Sequence, residues 1–152
     1  MKVKLWQLIL AFVVWVGLMF LPATVNQDKV ARTFDFSKSR ANYFYFLGTQ
    51  EQVTSVILVL LFIIIIIGIL RKWQSTKYFS LSFMVVYGYG MFLNVVLSRI
   101  PEGVPLKFAL SLEMFEGLWR IFGLGFFLTS LVGIVFAILL FVYVLKFKKD
   151  MV

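Results

Sequence analysis

The last apolar stretch of the chain, residues 121–145, constrains the fold most strongly, because it carries no charge over a length that crosses a lipid bilayer. Small residues recur in it at every fourth position: Gly125, Thr129, Gly133 and Ala137. On an α-helix these positions fall along one face. In a bilayer, such a face lets a second helix approach closely, since lipid already solvates the larger apolar side chains. The pattern predicts a membrane-spanning helix that packs against another helix.

Three further stretches without charge predict membrane-spanning helices at residues 5–21, 53–70 and 78–97. Of the 152 residues, 62% are hydrophobic, against about 45–50% in soluble domains. One water-soluble core of this size cannot bury that excess, so lipid must solvate much of it. We therefore expect an all-α integral membrane protein. Residues 1–152 form a single four-helix membrane domain in this prediction, with outer loops at 22–52 and 98–120.

The loop before the last span is predicted to contain an interfacial amphipathic helix at residues 106–119. Glu113, Glu116 and Arg120 share one side of that helix, and apolar residues cover most of the remainder. Upstream, the block Tyr43, Phe44, Tyr45 and Phe46 is typical of an aromatic belt at the headgroup level. The alternative is that these rings and the three charged residues form the outer face that a partner or ligand meets.

The third span carries a polar seam. Ser80, Tyr87 and Asn94 recur at intervals of seven residues, and Gly90 lies on nearly the same face of a regular helix. An amide without a partner is costly in hydrocarbon, so Asn94 is expected to face protein or a water-filled cavity. The seam predicts a second helix-packing surface.

A short motif in the same span invites comparison with ion-channel filters. Residues 87–90 read Tyr-Gly-Tyr-Gly, and potassium-channel filters use the loop Thr-Val-Gly-Tyr-Gly. The threonine is missing here, and the motif lies in the middle of a full-length span where a filter needs a re-entrant loop. We therefore interpret these residues as a close-packing site.

The residue types exclude several chemistries. The chain has no cysteine and no histidine, which rules out thiol chemistry, histidine-held haem and Ser-His or Cys-His nucleophiles. No predicted span contains Asp, Glu, Lys, Arg or His, so general acid–base chemistry within the bilayer has no candidate among these residue types. Glu113 and Glu116 are more typical of a solvated helix face than of catalysis. We predict a protein that is not an enzyme and has no cofactor and no metal site.

The first apolar stretch has two interpretations. It could be a signal peptide, with Lys2 and Lys4 before the apolar run and a cleavage site near Ala23. The run of residues 5–21 is longer than the apolar part of a usual signal peptide, and this favours a retained anchor helix. Trp6 suits the headgroup boundary of such a helix.

Charge placement predicts the orientation. The net charge of +8 comes from basic residues that anchor helix ends to lipid headgroups, so we expect no nucleic-acid partner. The termini and the short loop after the second span hold eight basic residues directly beside helix ends. The two longer loops hold seven, more widely spread, together with six of the seven acids. A multi-pass protein of the plasma membrane with both termini in the cytoplasm follows from the positive-inside rule.

Two functional classes agree with these patterns. The first is a non-catalytic accessory or structural subunit that packs against a larger membrane complex. The second is a self-assembling channel or carrier lined by the third helix. An immunity or stress-protection role is a further alternative. The expected partners are the lipid bilayer and either other membrane-protein subunits or further copies of the chain.

Overall fold

The computed structural model describes residues 3–25, 40–49, 51–97 and 111–147. Within these ranges the chain forms six helices and two short strands. In chain order they are α1 Leu5–Leu18, β1 Pro22–Val25, β2 Arg40–Asn42, α2 Tyr43–Thr49, α3 Gln52–Leu70, α4 Thr76–Leu97, α5 Leu112–Ile121 and α6 Leu124–Val144.

Three helices, α3, α4 and α6, are long and apolar enough to cross a membrane. They correspond to the predicted spans 53–70, 78–97 and 121–145. The helix predicted at residues 5–21 is shorter, because α1 ends at Leu18 and a tight turn leads from Met19 into β1. Its 14 residues rise about 21 Å, which is less than the hydrocarbon thickness of about 30 Å.

The helices α1, α6, α4 and α3 form a row in this order, with α6 and α4 as its inner members. α6 packs between α1 and α4, and α4 packs on its other side against α3. Residue pairs along the interfaces show that α6 runs antiparallel to both neighbours. On the α1 side, Trp15 contacts Phe136 and Leu18 contacts Thr129. On the α4 side, Phe83 contacts Phe136 and Phe92 contacts Phe126. Accordingly, 44% of the positions in the most apolar 18-residue window of α6 are buried, against 17% in the corresponding window of α3 at the end of the row.

The connection between α3 and α4 is a compact helix-ending turn. Lys72 adopts the left-handed conformation (φ 52°), and the Trp73 N–H donates to the Gly68 carbonyl (2.8 Å). This pairing is a Schellman motif, which satisfies carbonyls at a helix end. The turn places Gly68 against Thr76, and Gly90 lies against Thr54, so α3 and α4 are antiparallel neighbours.

The segment predicted as the first outer loop contains ordered structure. β1 and β2 pair as antiparallel strands, and Ala23 accepts a hydrogen bond from the Gly123 N–H (3.1 Å). Thr24 forms an isolated bridge to Phe122. These bonds attach the strand pair to the junction of α5 and α6. Sequence patterning misses strands of three or four residues, because alternation over so few positions is indistinguishable from loop composition.

The predicted amphipathic helix is present with shifted bounds. α5 begins at Leu112 and ends at Ile121, while residues 106–110 lie outside the described residues. Leu118 is buried, and Glu113, Glu116 and Arg120 are exposed. A break at Phe122 and Gly123 separates α5 from α6, so the last span begins at Leu124 and not at residue 121.

The middle of α4, Val86–Leu93, is a π-helix. The Asn94 N–H donates to the carbonyl of Tyr89, five residues back. A π-turn takes up more residues than an α-turn and therefore rotates everything beyond it relative to the preceding helix. The Tyr-Gly-Tyr-Gly motif lies inside this helical segment, where its carbonyls are directed along the helix and not into a filter loop.

Candidate functional site

The predicted stripe of small residues on α6 lies in the interior of the molecule. Gly125 lies against the Pro22 carbonyl and Leu21, and Gly133 lies against Trp15 and Tyr87. Thr129 and Ala137 are fully buried. The stripe thus faces α1, the start of β1 and α4 of the same chain, and it is not available to a partner helix.

A chain of hydrogen bonds joins three helices at this contact. The Trp15 indole N–H donates to the Tyr87 hydroxyl (3.0 Å), which donates to the Thr129 carbonyl (3.1 Å). The Thr129 hydroxyl donates to the Leu18 carbonyl (3.0 Å). Interhelical hydrogen bonds in membranes contribute about 0.6 kcal/mol each on average, so these bonds set the helix positions more than they add stability.

Aromatic rings surround the hydrogen-bonded groups. Phe136 on α6 is the centre of this aromatic cluster, with ring centroids 5.2 Å from Trp15 and 6.3 Å from Phe83. Phe12 and Phe62 complete it, at 5.6 and 6.1 Å from Phe136. The cluster therefore contains one or two side chains from each of α1, α3, α4 and α6.

The polar seam predicted on α4 is only partly brought together. Ser80 and Tyr87 are buried, but Asn94 is exposed and Gly90 is half-buried against Thr54 of α3. The prediction that Asn94 shares the packed face is wrong for a physical reason. Beyond Tyr87, the buried residues of α4 are Met91 and Val95. A regular α-helix would place Asn94 on this buried face, but the π-helix shifts the face by one residue, to Val95.

The aromatic block of α2 is divided between the interior and the surface. Tyr43 and Phe46, three residues apart on one helix face, are fully buried, whereas Phe44 and Tyr45 are exposed. The Tyr43 hydroxyl lies 3.5 Å from the Ser130 hydroxyl of α6. The alternative interpretation, in which all four rings form an outer contact face, is therefore wrong for Tyr43 and Phe46, because each has its ring in the core.

A lateral groove of about 680 Å³ opens between α1 and α3. Trp15, Phe83 and Tyr87 lie on its inner wall, and α2 covers one end with Phe44 and Leu47. At the other end the Phe12 and Phe62 rings stack across the gap with centroids 5.2 Å apart. The groove is thus apolar along its wall, covered by α2 at one end and closed by the Phe12 and Phe62 rings at the other.

In the described part of the chain, no Asp, Glu, Lys, Arg or His side chain takes part in the hydrogen-bonded contact of Trp15, Tyr87 and Thr129. Among the described residues no group of three His, Cys, Asp or Glu side chains could hold a metal ion. The groups that meet at the centre are phenol, indole, hydroxyl and backbone carbonyl, all neutral in their ordinary state. These groups hold α1, α4 and α6 against one another.

Comparison with protein-family models, with curated protein sequences and with solved structures finds no match for this chain. Inferences about function therefore rest on the residues themselves.

Two features of the site are missed by sequence reasoning. Trp15 lies in the middle of an apolar stretch and not at its boundary, and a buried indole N–H needs a partner. That mismatch is a usable signal for an interior contact. The lateral groove has no sequence signal, because it depends on which helices are not neighbours.

Proposed function

We propose that this chain is a non-catalytic accessory subunit of a larger plasma-membrane assembly. The observation that carries the proposal is the face of α3 directed away from α4 and from the lateral groove. It is a continuous apolar surface that we call the edge face of α3, formed by Val53, Ile57, Leu60, Ile64 and Ile67. All but the half-buried Ile64 are exposed. The edge face rises about 21 Å at 1.5 Å per residue, and it lies at the α3 end of the row.

We propose α1 as the fourth span, although it is short as a helix. It lies antiparallel along α6, and residues Met19 to Pro22 continue past Gly125 at the far end of the same helix. The helix and this extension together follow most of α6. Removing α1 as a signal peptide would take Trp15 out of the core, which supports its retention.

With four spans, both termini lie on one side of the membrane, and the positive-inside rule assigns that side to the cytoplasm. Because the chain has no cysteine, single-cysteine labelling tests this without background. Gln74→Cys, in the exposed α3–α4 turn, is expected to resist an impermeant thiol reagent in intact cells and to react after permeabilisation. Glu116→Cys, exposed on α5, is expected to react in intact cells. The reverse pattern would overturn the orientation.

A photocrosslinking experiment tests the accessory function. A photoreactive phenylalanine analogue at Leu60, on the edge face of α3, is expected to give one discrete heteromeric adduct in the native membrane. The matched control is Leu131, which is similarly exposed on α6 (61% against 55%) but lies on another helix. A partner helix packed against α3 stays within reach of the photoreactive side chain and therefore gives a protein adduct. Lipid at the same position gives no protein adduct.

The outcomes separate the proposed classes. An adduct of twice the chain mass at Leu60 would favour self-assembly, and equal absence of adducts at both positions would reject docking through α3. The channel or carrier alternative has less support, because Ser80 and Tyr87 are buried in the protein interior and Asn94 lies off their face. An immunity or stress-protection role is compatible with an accessory subunit, and no contact of the described residues favours it specifically.

A further inference from the structure

We propose that the lateral groove binds one acyl chain of a membrane lipid from the leaflet on the α2 side. This is a ligand site separate from the edge face of α3, and it does not require a protein partner. In the orientation proposed above, the lipid comes from the outer leaflet.

The depth of the groove corresponds to one leaflet. Its α3 wall extends from Gln52 to Ile63, which is about 17 Å at 1.5 Å per residue. Half of the hydrocarbon core is about 15 Å. The Phe12–Phe62 stack closes the groove at this depth, so an occupant from the α2 side reaches the bilayer centre and no further.

The shape of the groove excludes a membrane-spanning helix as the occupant. A partner span would need the full membrane thickness, and the stacked Phe12 and Phe62 rings close the groove before that depth. The groove holds about 680 Å³, within the range of about 300–1,000 Å³ typical of small-molecule sites.

In the described part of the chain, each polar side chain along the groove has a hydrogen-bond partner within the protein. Trp15 and Tyr87 bond to each other, and Tyr43 is within reach of Ser130. Gln52 donates to the Gly48 carbonyl (2.8 Å), and Ser55 donates to the Glu51 carbonyl (2.6 Å). Such a wall leaves no buried donor or acceptor for a polar ligand, whereas a hydrocarbon chain needs no hydrogen-bond partner. The occupant is therefore an alkyl chain, and any headgroup remains beyond α2.

Trp15 provides a probe inside the groove, because it lines the wall and is only 8% exposed. The protein would carry Trp15 as its single tryptophan, with Trp6→Phe, Trp73→Phe and Trp119→Phe. The pure chain is reconstituted in phosphatidylcholine vesicles whose acyl chains carry bromine atoms near their middle. Bromine quenches indole fluorescence on contact. If an acyl chain occupies the groove, Trp15 fluorescence is expected to be mostly quenched in brominated vesicles, compared with its fluorescence in vesicles of unbrominated lipid.

Filling the groove gives the decisive comparison. A side chain at Gly48 would extend into open space along the groove, so Gly48→Leu is expected to restore most of the Trp15 emission. The matched control is Gly17→Leu. A Cβ at Gly17 would also have no atom within 4 Å, but Gly17 does not line the groove, so this variant is expected to leave the quenching of Trp15 unchanged. Val59→Phe in the groove and Leu60→Phe on the edge face repeat the comparison on α3.

Two results would overturn the lipid site. One is Trp15 emission that does not respond to brominated chains. The other is quenching that persists in both Gly48→Leu and Val59→Phe while circular dichroism shows unchanged helix content. Because the vesicles contain this chain alone, the result is independent of whether the crosslinking at Leu60 finds a partner.

Discussion

Replacement of Gly133 by leucine is expected to cost about 3 kcal/mol of folding free energy, the upper end of the overpacking range. Any Cβ at this position would meet the Tyr87 ring and the Trp15 indole nitrogen. Tyr87 cannot turn aside, because its buried hydroxyl is held by Trp15 and by the Thr129 carbonyl. The added side chain must separate α6 from α1 and α4. Denaturation in mild detergent and the yield of monodisperse protein measure this loss.

Gly17→Leu is the matched control for the same substitution, because its new side chain would meet nothing within 4 Å. We expect its stability to stay within about 0.5 kcal/mol of the unsubstituted protein, as for surface changes in general. Gly133→Ala would give an intermediate loss, since its single methyl group meets the same two rings. Equal stability of Gly133→Leu and Gly17→Leu would show that α6 does not pack closely through Gly133.

The spacing of small residues on α6 was sufficient to predict that its Gly125–Ala137 face is packed, but not against what. A period of four residues is a local property that survives in a regular helix. The identity of the neighbour is not local, and here the neighbours are α1, β1 and α4 of the same chain. The same face viewed in the sequence alone is equally compatible with a partner helix.

The position of Asn94 shows where periodicity fails. Intervals of seven predict a common face only if the helix is α-helical throughout. Residues Val86–Leu93 form a π-helix, and the resulting one-residue offset puts Val95 in the core in place of Asn94. Two glycines, Gly88 and Gly90, lie in this segment, but glycines are also common in regular membrane helices, so they do not predict the change.

The lateral groove lies beyond sequence reasoning for a different reason. Apart from Trp15, Gln52 and Ser55, the groove-facing positions of α1 and α3 carry the same apolar residue types as the lipid-facing ones, so the sequence pattern does not separate the two sides. The groove exists because α6 and α4 stand between α1 and α3, while the short α2 covers one end. Only the order of helices in the row determines this, and helix order is a property of the whole fold.

Phe136→Ala is expected to destabilise the protein by about 2–3 kcal/mol. In soluble proteins this truncation costs about 3–5 kcal/mol, which combines a transfer term with a cavity term. In a bilayer the transfer term largely disappears, since lipid is as apolar as the protein interior, and the lost packing remains. Phe136 is 1% exposed and contacts rings from α1, α3 and α4, so no single neighbour can move to close the cavity.

Phe20→Ala is the control that separates packing from the general effect of losing a ring. Phe20 is 67% exposed and its ring meets Phe44 edge-on at 5.1 Å. Its removal is expected to cost about 1 kcal/mol or less, the contribution of one exposed aromatic pair. Chemical denaturation of the two variants in the same detergent makes the comparison. Similar losses for both would mean that the aromatic cluster around Phe136 does not hold the four helices together, because a central ring and a peripheral ring would then be equivalent.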